Sequence, residues 1–241
     1  MDCKIPAAFL EIGSRFSLSR WIRAVRLIGF LVSSLVLCVR PDLFASFCRR
    51  FLRIARVQIR IHGNPLRVPH LAVANHISYI DIMALGALGD FRFVAKSEVR
   101  SWPLIGLIAQ RLGCIFVRRN SARSLSECVA QTAKSIRAGR SILVFPEGTT
   151  TEGQFTLPFH SGLFDASIRA GCPTQPVAIQ YHNPKVPYIA SDTLAPHVWR
   201  LLREPVILMD VIFCEALDQT DRHQMARQAK QAIDAAILTC S

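Results

Sequence analysis

Apolar and polar positions along this chain follow two rhythms. Apolar-rich runs of four to eight residues recur at Val57–Ile61, Leu71–Ala74, Phe91–Ala95, Cys114–Val117, Ile142–Phe145, Gln175–Tyr181 and Val206–Phe213. Runs of that length, bounded by turn residues, predict buried strands. Between several of them Ile82–Leu88, Leu104–Arg111, Ser124–Arg137 and Gly162–Ala170 keep helical spacing, and Thr220–Leu238 predicts a closing helix. The alternation predicts an α/β fold with a mixed, largely parallel sheet flanked by helices. No repeat, low-complexity tract or long linker interrupts it. Functional loops should then gather where the strands end.

The first 56 residues keep a different pattern. Leu27–Val39 is an uncharged, mostly apolar run of 13 residues, preceded by Arg20, Arg23 and Arg26 and closed by Arg40. A clean membrane span needs about 20 residues, and shorter runs are more often interfacial. A cleaved signal peptide fits poorly, because the next segment is strongly basic. After Pro41-Asp42, the apolar residues Phe44, Phe47, Cys48, Phe51, Leu52 and Ala55 keep helical spacing, with Arg49, Arg53 and Arg56 opposite them. A basic amphipathic helix beside an apolar one predicts a two-helix hairpin lying in a membrane surface. The expected organisation is therefore a membrane-associating segment over 1–56 and an α/β domain over 57–241. Both helices packing on the core, with solvated arginines, is the plainer alternative.

Composition sharpens this. The 241 residues are 51% hydrophobic and carry a formal charge of +12, with a mean hydropathy of +0.28. That suffices for one sizeable core and calls for an anionic partner. Residues 1–67 hold twelve Lys/Arg against three Asp/Glu, so most of the excess lies in the N-terminal part. An anionic membrane surface, approached from the cytoplasmic face, is the expected partner. No nucleic acid is expected, because no binding motif or basic stripe interleaved with aromatics is present. Eight scattered cysteines without a Cys-x-x-Cys pair read as buried free thiols in a reducing compartment.

Candidate chemistry begins at Asn75-His76-Ile77-Ser78-Tyr79-Ile80-Asp81, between a strand and a helix. An imidazole titrates near neutrality, and a carboxylate on its other nitrogen fixes its tautomer, so His76 and Asp81 suit general-base work. On a continuous helix they would point about 140° apart, so a turn must intervene. Ser78-x-x-Asp81 equally fits a capping box, which would make Asp81 a helix-start residue. Phe145-Pro146-Glu147-Gly148-Thr149-Thr150-Thr151 offers acceptors and exposed N–H groups at another strand exit, or a Pro/Gly turn with threonine caps. Gly113 to Arg119 ends a strand with Arg118 and Arg119, and Lys96 follows another; these cations could hold an anionic head group or be solvated strand ends. No G-x-S-x-G, phosphate loop, G-x-G-x-x-G or H-E-x-x-H is present, which favours direct transfer over a covalent intermediate.

In this order the segments resemble the lysophospholipid acyltransferases, the 1-acylglycerol-3-phosphate acyltransferase family. Asn75-His76 through Asp81 matches its N-H-x4-D block, Gly113-x-x-Phe116 with Arg118 or Arg119 its second, and Phe145 to Thr149 its F-P-E-G-T block. Gln175-Pro176-Val177-Ala178-Ile179 approaches its fourth. The resemblance implies acyl transfer from acyl-CoA or acyl carrier protein to the free hydroxyl of a lysolipid, with no metal or other cofactor. It implies His76 as base, Asp81 as its orienter, Glu147, Gly148 and Thr149 positioning the acceptor, and Lys96, Arg118 or Arg119 holding its head group. The first acceptor it implies is 1-acylglycerol-3-phosphate. Two departures complicate that: Thr150 stands where the family has a basic residue, and His160 replaces the lysine of P-F-K-x-G. The E-G-T-T-T form also resembles acyltransferases of other lysolipids, including lyso-ornithine lipid. A non-catalytic membrane-binding protein is the alternative of another class.

Overall fold

In the computed structural model, residues 8–10, 20–189 and 192–239 are described. Eight strands form one sheet: β1 (Ala8–Leu10), β2 (Val57–Gly63), β3 (Leu71–Ala74), β4 (Phe91–Lys96), β5 (Ile115–Val117), β6 (Ser141–Val144), β7 (Thr174–Tyr181) and β8 (Ile207–Phe213). Their spatial order is β1-β2-β8-β7-β3-β6-β4-β5. The pairs β1–β2 and β7–β8 are antiparallel and every other neighbouring pair is parallel. The mixed, largely parallel sheet expected from the alternation is therefore present. The central strands read as continuous apolar runs because both faces are covered: all four residues of β3 are buried.

One face carries α2 (Phe44–Ala55) and α3 (Tyr79–Leu88), with α7 (Leu194–Leu201) nearby; their side chains join Leu52, Ile80, Leu85, Ile179 and Met209 in the larger core. The other face carries α5 (Ala122–Arg137), α6 (Asp165–Ala170) and α8 (Arg222–Thr239), packed on Leu71, Val73, Ile142 and Val144. Helix α4 (Ile105–Arg111) lies between β4 and β5 in the chain.

The N-terminal segment differs in detail from the pattern predicted for it. Helix α1 (Arg20–Ser33) starts seven residues before the apolar run, which ends as a 3-10 turn over Ser34–Cys38. Phe30 stacks on Phe47 of α2, ring centroids 4.0 Å apart. Arg23 is buried and its guanidinium donates to the Glu204 carbonyl at 2.8 Å, so it is a packing residue. Arg49 donates to the Ala87 carbonyl at the end of α3, whereas Arg50 and Arg53 are exposed. Among the described residues no helix is long and apolar enough to cross a membrane. Six described cysteines are free thiols; Cys3 and Cys240 lie outside the described residues.

Candidate active site

The parallel register aligns the exits of β3 and β6, beside β7, which runs on to Tyr181. Val73 lies opposite Val144, and Ala74 opposite Val177, so the residues after each strand meet at one end of the sheet. Asn75 is buried there. Its side chain continues the ladder where β3 stops, donating to the Ile179 carbonyl at 2.9 Å and accepting from the Ile179 N–H at 2.7 Å. The chain then turns irregularly through 75–78 before α3 begins at Tyr79.

That turn brings the two spaced residues together. His76 Nδ1 lies 2.9 Å from Asp81 Oδ2. The same oxygen accepts from the Ile77 N–H at 2.7 Å and the Ser78 N–H at 2.9 Å. Ser78 is the N-cap and Asp81 completes the capping box. The two interpretations of Asp81 that spacing set against each other are both realised on one carboxylate, and Oδ2 serves both. Tyr181, which sequence reasoning did not single out, donates its hydroxyl to Oδ1 at 2.7 Å. Burial, then the Asp81 charge, pushes that phenol well above its ordinary range, so it remains a donor. With both oxygens of Asp81 engaged, its fully buried side chain is held in a fixed orientation.

Donation from Nδ1–H to the carboxylate leaves the lone pair on Nε2, the nitrogen a general base uses. The imidazole is 18% exposed and stacks on Phe145, centroids 4.0 Å apart. Among the described residues no protein group hydrogen-bonds Nε2.

The loop after β6 laces this arrangement from the other side. Glu147 is 4% exposed; Oε1 accepts from the His76 N–H and Oε2 from the Leu157 N–H, both at 2.8 Å. Burial raises its pKa, while the two backbone N–H groups oppose the rise. The carboxylate is thus spent inside the fold, on the backbone of the histidine. The Thr151 N–H donates to the His76 carbonyl at 2.8 Å, and the Tyr188 N–H to that of Ile77 at 2.9 Å. Thr150 turns its hydroxyl inward onto the Tyr188 carbonyl. Thr149 is exposed on the same loop. Gly148 holds φ +69°, which an L side chain rarely adopts, and its open side faces Arg119 Nη2 and the His160 ring, 3.4 and 3.6 Å from where a Cβ would stand.

Of the two candidate arginines, Arg119 is therefore the one beside the glycine loop. Arg118 is tied through its backbone N–H to Ser124 Oγ at the start of α5. Lys96, at the end of β4, has its pKa lowered by desolvation and by the Arg119 charge, which places the two cations near each other.

A family model described as Acyltransferase matches residues 58–180. A lyso-ornithine lipid O-acyltransferase of Pseudomonas aeruginosa is 40% identical over 192 residues, covering 75% of this chain and 72% of that protein. A 1-acyl-sn-glycerol-3-phosphate acyltransferase of Neisseria gonorrhoeae is 30% identical over 175 residues, 69% of each chain. The crystal structure of the 1-acyl-sn-glycerophosphate acyltransferase PlsC of Thermotoga maritima shares the fold, with a TM-score of 0.59, 16% identity and coverage of 89% of this chain and 97% of that one. With its sheet, its first and third sequence blocks at adjacent strand exits, and a family match over half its length, the chain belongs to the acyltransferase family.

Proposed function

We propose that this enzyme transfers a fatty acyl group from a thioester, acyl-CoA or acyl carrier protein, to the free hydroxyl of a lysolipid at a membrane surface. The observation that carries the proposal is the His76–Asp81 pair, 2.9 Å apart, with Nε2 on the uncommitted side of the ring. His76 removes the proton of the acceptor hydroxyl as its oxygen attacks the thioester carbonyl. Collapse of the tetrahedral intermediate expels the thiolate, which takes up the proton held on His76. Asp81 keeps Nδ1 protonated and stabilises the imidazolium that forms. Glu147 acts one step back, holding the backbone of His76, and the exposed Gly148–Thr149 edge meets the acceptor. The amides of residues 76–78 are already committed to Glu147 and Asp81. In the third-block loop the Gly148 and Thr151 amides are committed as well, so stabilisation of the oxyanion falls to the remaining amides of that loop and the cations beside it.

Lyso-ornithine lipid is the favoured acceptor. Its support is the relative at 40% identity, together with a cation-poor third block: Thr150 faces inward and an imidazole, His160, stands beside Gly148. Lys96 and Arg119 favour a second reading, 1-acylglycerol-3-phosphate, the acceptor named for relatives near 30% identity. The test is an acceptor screen with purified protein and acyl-CoA or acyl carrier protein as donor. Lyso-ornithine lipid should give the highest kcat/KM, above lysophosphatidate and lysophosphatidylethanolamine. Preference for lysophosphatidate would move the assignment to the second reading, and no transfer to any of the three would refute the proposal.

A further inference from the structure

We infer that a second element, distant in the chain from the N-terminal helices, seats in the lipid surface: the segment Trp102–Leu107. This rests on the membrane-surface acceptor proposed above. Trp102 is 53% exposed, and Ile105 and Leu107 are each 46% exposed, so one short stretch holds an indole and two aliphatic side chains away from the core. A single exposed apolar residue is ordinary; a contiguous patch marks an interaction surface. Here the patch extends beyond its own segment. Helix α4 packs against the 3-10 turn Ser34–Cys38, where Leu35 and Val36 are exposed, as is Val39 just after it. Ile22, Val25 and Ile28, at helical spacing on α1, carry the exposed apolar band onward.

The backbone holds this segment out deliberately. Leu104 has φ +61°, the left-handed region that a branched side chain rarely occupies. Gly106 lies so close to the preceding turn that a Cβ would stand 2.3 Å from the Arg100 carbonyl oxygen. The segment is thus folded tightly back on Ser97–Ser101, with Trp102 and Ile105 left on the outside. Its cations select the occupant. Lys96, Arg100 and Arg111, all exposed, flank the apolar residues, and a tryptophan beside arginines is the side-chain set of the lipid head-group boundary. An anionic bilayer meets both features; a second copy of a chain with a charge of +12 would be repelled. The segment is joined to Lys96 through the Ser97–Ser101 turn, so seating it brings Lys96 and the neighbouring Arg119 toward head-group depth.

The experiment compares wild type with Trp102→Phe on vesicles of phosphatidylcholine and phosphatidylglycerol, with and without acyl chains brominated near the head group. Wild-type emission should shift to the blue and be quenched by bromolipid, and Trp102→Phe, which keeps Trp21 and Trp199, should lose the share of that quenching that Trp102 supplies while still sedimenting with the vesicles. The triple variant Trp102→Ala, Ile105→Ser, Leu107→Ser should bind vesicles about tenfold or more weakly, with turnover of a dispersed short-chain acceptor unchanged. Binding with equal quenching in wild type and Trp102→Phe, or unaltered binding of the triple variant, overturns the inference and leaves the acyl transfer standing. A blue shift without vesicles that follows protein concentration assigns the patch to a second copy and also overturns it. Failure of wild type to sediment at all overturns both the inference and the membrane-surface part of the proposed function.

Discussion

At the scale of single residues, the site is built from side chains that hold backbone as much as from side chains that face a substrate. His76 works through an accessible, uncommitted atom, Nε2. His76→Ala should lower kcat/KM by about 10²–10⁴ with an unchanged urea midpoint; turnover near wild type in the purified variant would dispose of the base assignment. Glu147 is different in kind. Glu147→Gln turns one accepting oxygen into an N–H aimed at either the His76 or the Leu157 amide. The expected result is a fall in kcat of up to about 10²-fold from a displaced histidine, with the acceptor KM nearly unchanged. A rise in KM alone would mean that the carboxylate touches the acceptor instead. The spacing of His76 and Asp81 was legible in the sequence, as was the capping box. That one oxygen serves both was not, because five residues of spacing do not state the geometry of a turn. Glu147 read as an acceptor-binding carboxylate, since a partner 71 residues away leaves no local signature.

At the scale of elements, β2 to β8 were legible to within a residue or two, β3 most plainly because it is an apolar run covered on both faces, whereas the three-residue β1 was not foreseen. The helices were legible where a buried stripe exists. Helix α7 was not: Leu194–Leu201 is only eight residues long and includes Pro196 and the buried His197, which interrupt its short apolar stripe. The early start of α1 was hidden likewise, because part of its buried face is Arg23, a cation that hydropathy counts as exterior. A polar knot joins β8 to both of its neighbours, β2, to which it is parallel, and β7, to which it is antiparallel. Asp210 of β8 is buried, and bonds Arg60 at 2.7 Å and His62 at 2.8 Å on β2, with His182 just past β7 on the same carboxylate. Desolvation would raise the Asp210 pKa, but the bonds from His182, His62 and Arg60 outweigh it and the net shift is downward. A lowered folded-state pKa stabilises the protein above the ordinary carboxylate value of about 4, and the stabilisation drains away as pH falls through the folded value. Asp210→Asn should therefore cost about 2–3 kcal/mol at pH 7, and the gap in urea midpoint between it and wild type should narrow below about pH 4. A gap that stays constant from pH 7 to pH 3 would show that the ionised carboxylate is not what joins these strands.

At the scale of the whole molecule, the proposed membrane attachment rests on where exposed cations and apolar side chains lie. If exposed cations such as Arg50, Arg53, Arg100 and Arg111 draw the enzyme to anionic lipid, vesicle binding should weaken steadily with salt, because the Debye length falls from about 10 Å at 0.1 M to about 3 Å at 1 M. Sedimentation with phosphatidylglycerol vesicles across that range checks it; binding indifferent to salt would leave the apolar band as the sole attachment. The N-terminal concentration of charge was plain in the sequence, but its distribution was not, since Arg23 and Arg49 are drawn into packing and only the tertiary structure shows it. The shared oxygen of Asp81 has a longer-range consequence. Helix α3 cannot begin normally without the carboxylate that also steadies the imidazole, so natural drift acts unequally on the two partners. A descendant gene that had abandoned acyl transfer could lose the histidine freely while still needing the aspartate to shape its protein. Retired copies of this enzyme should then be recognisable in genomes by an orphaned aspartate, with the position five residues before it free to vary.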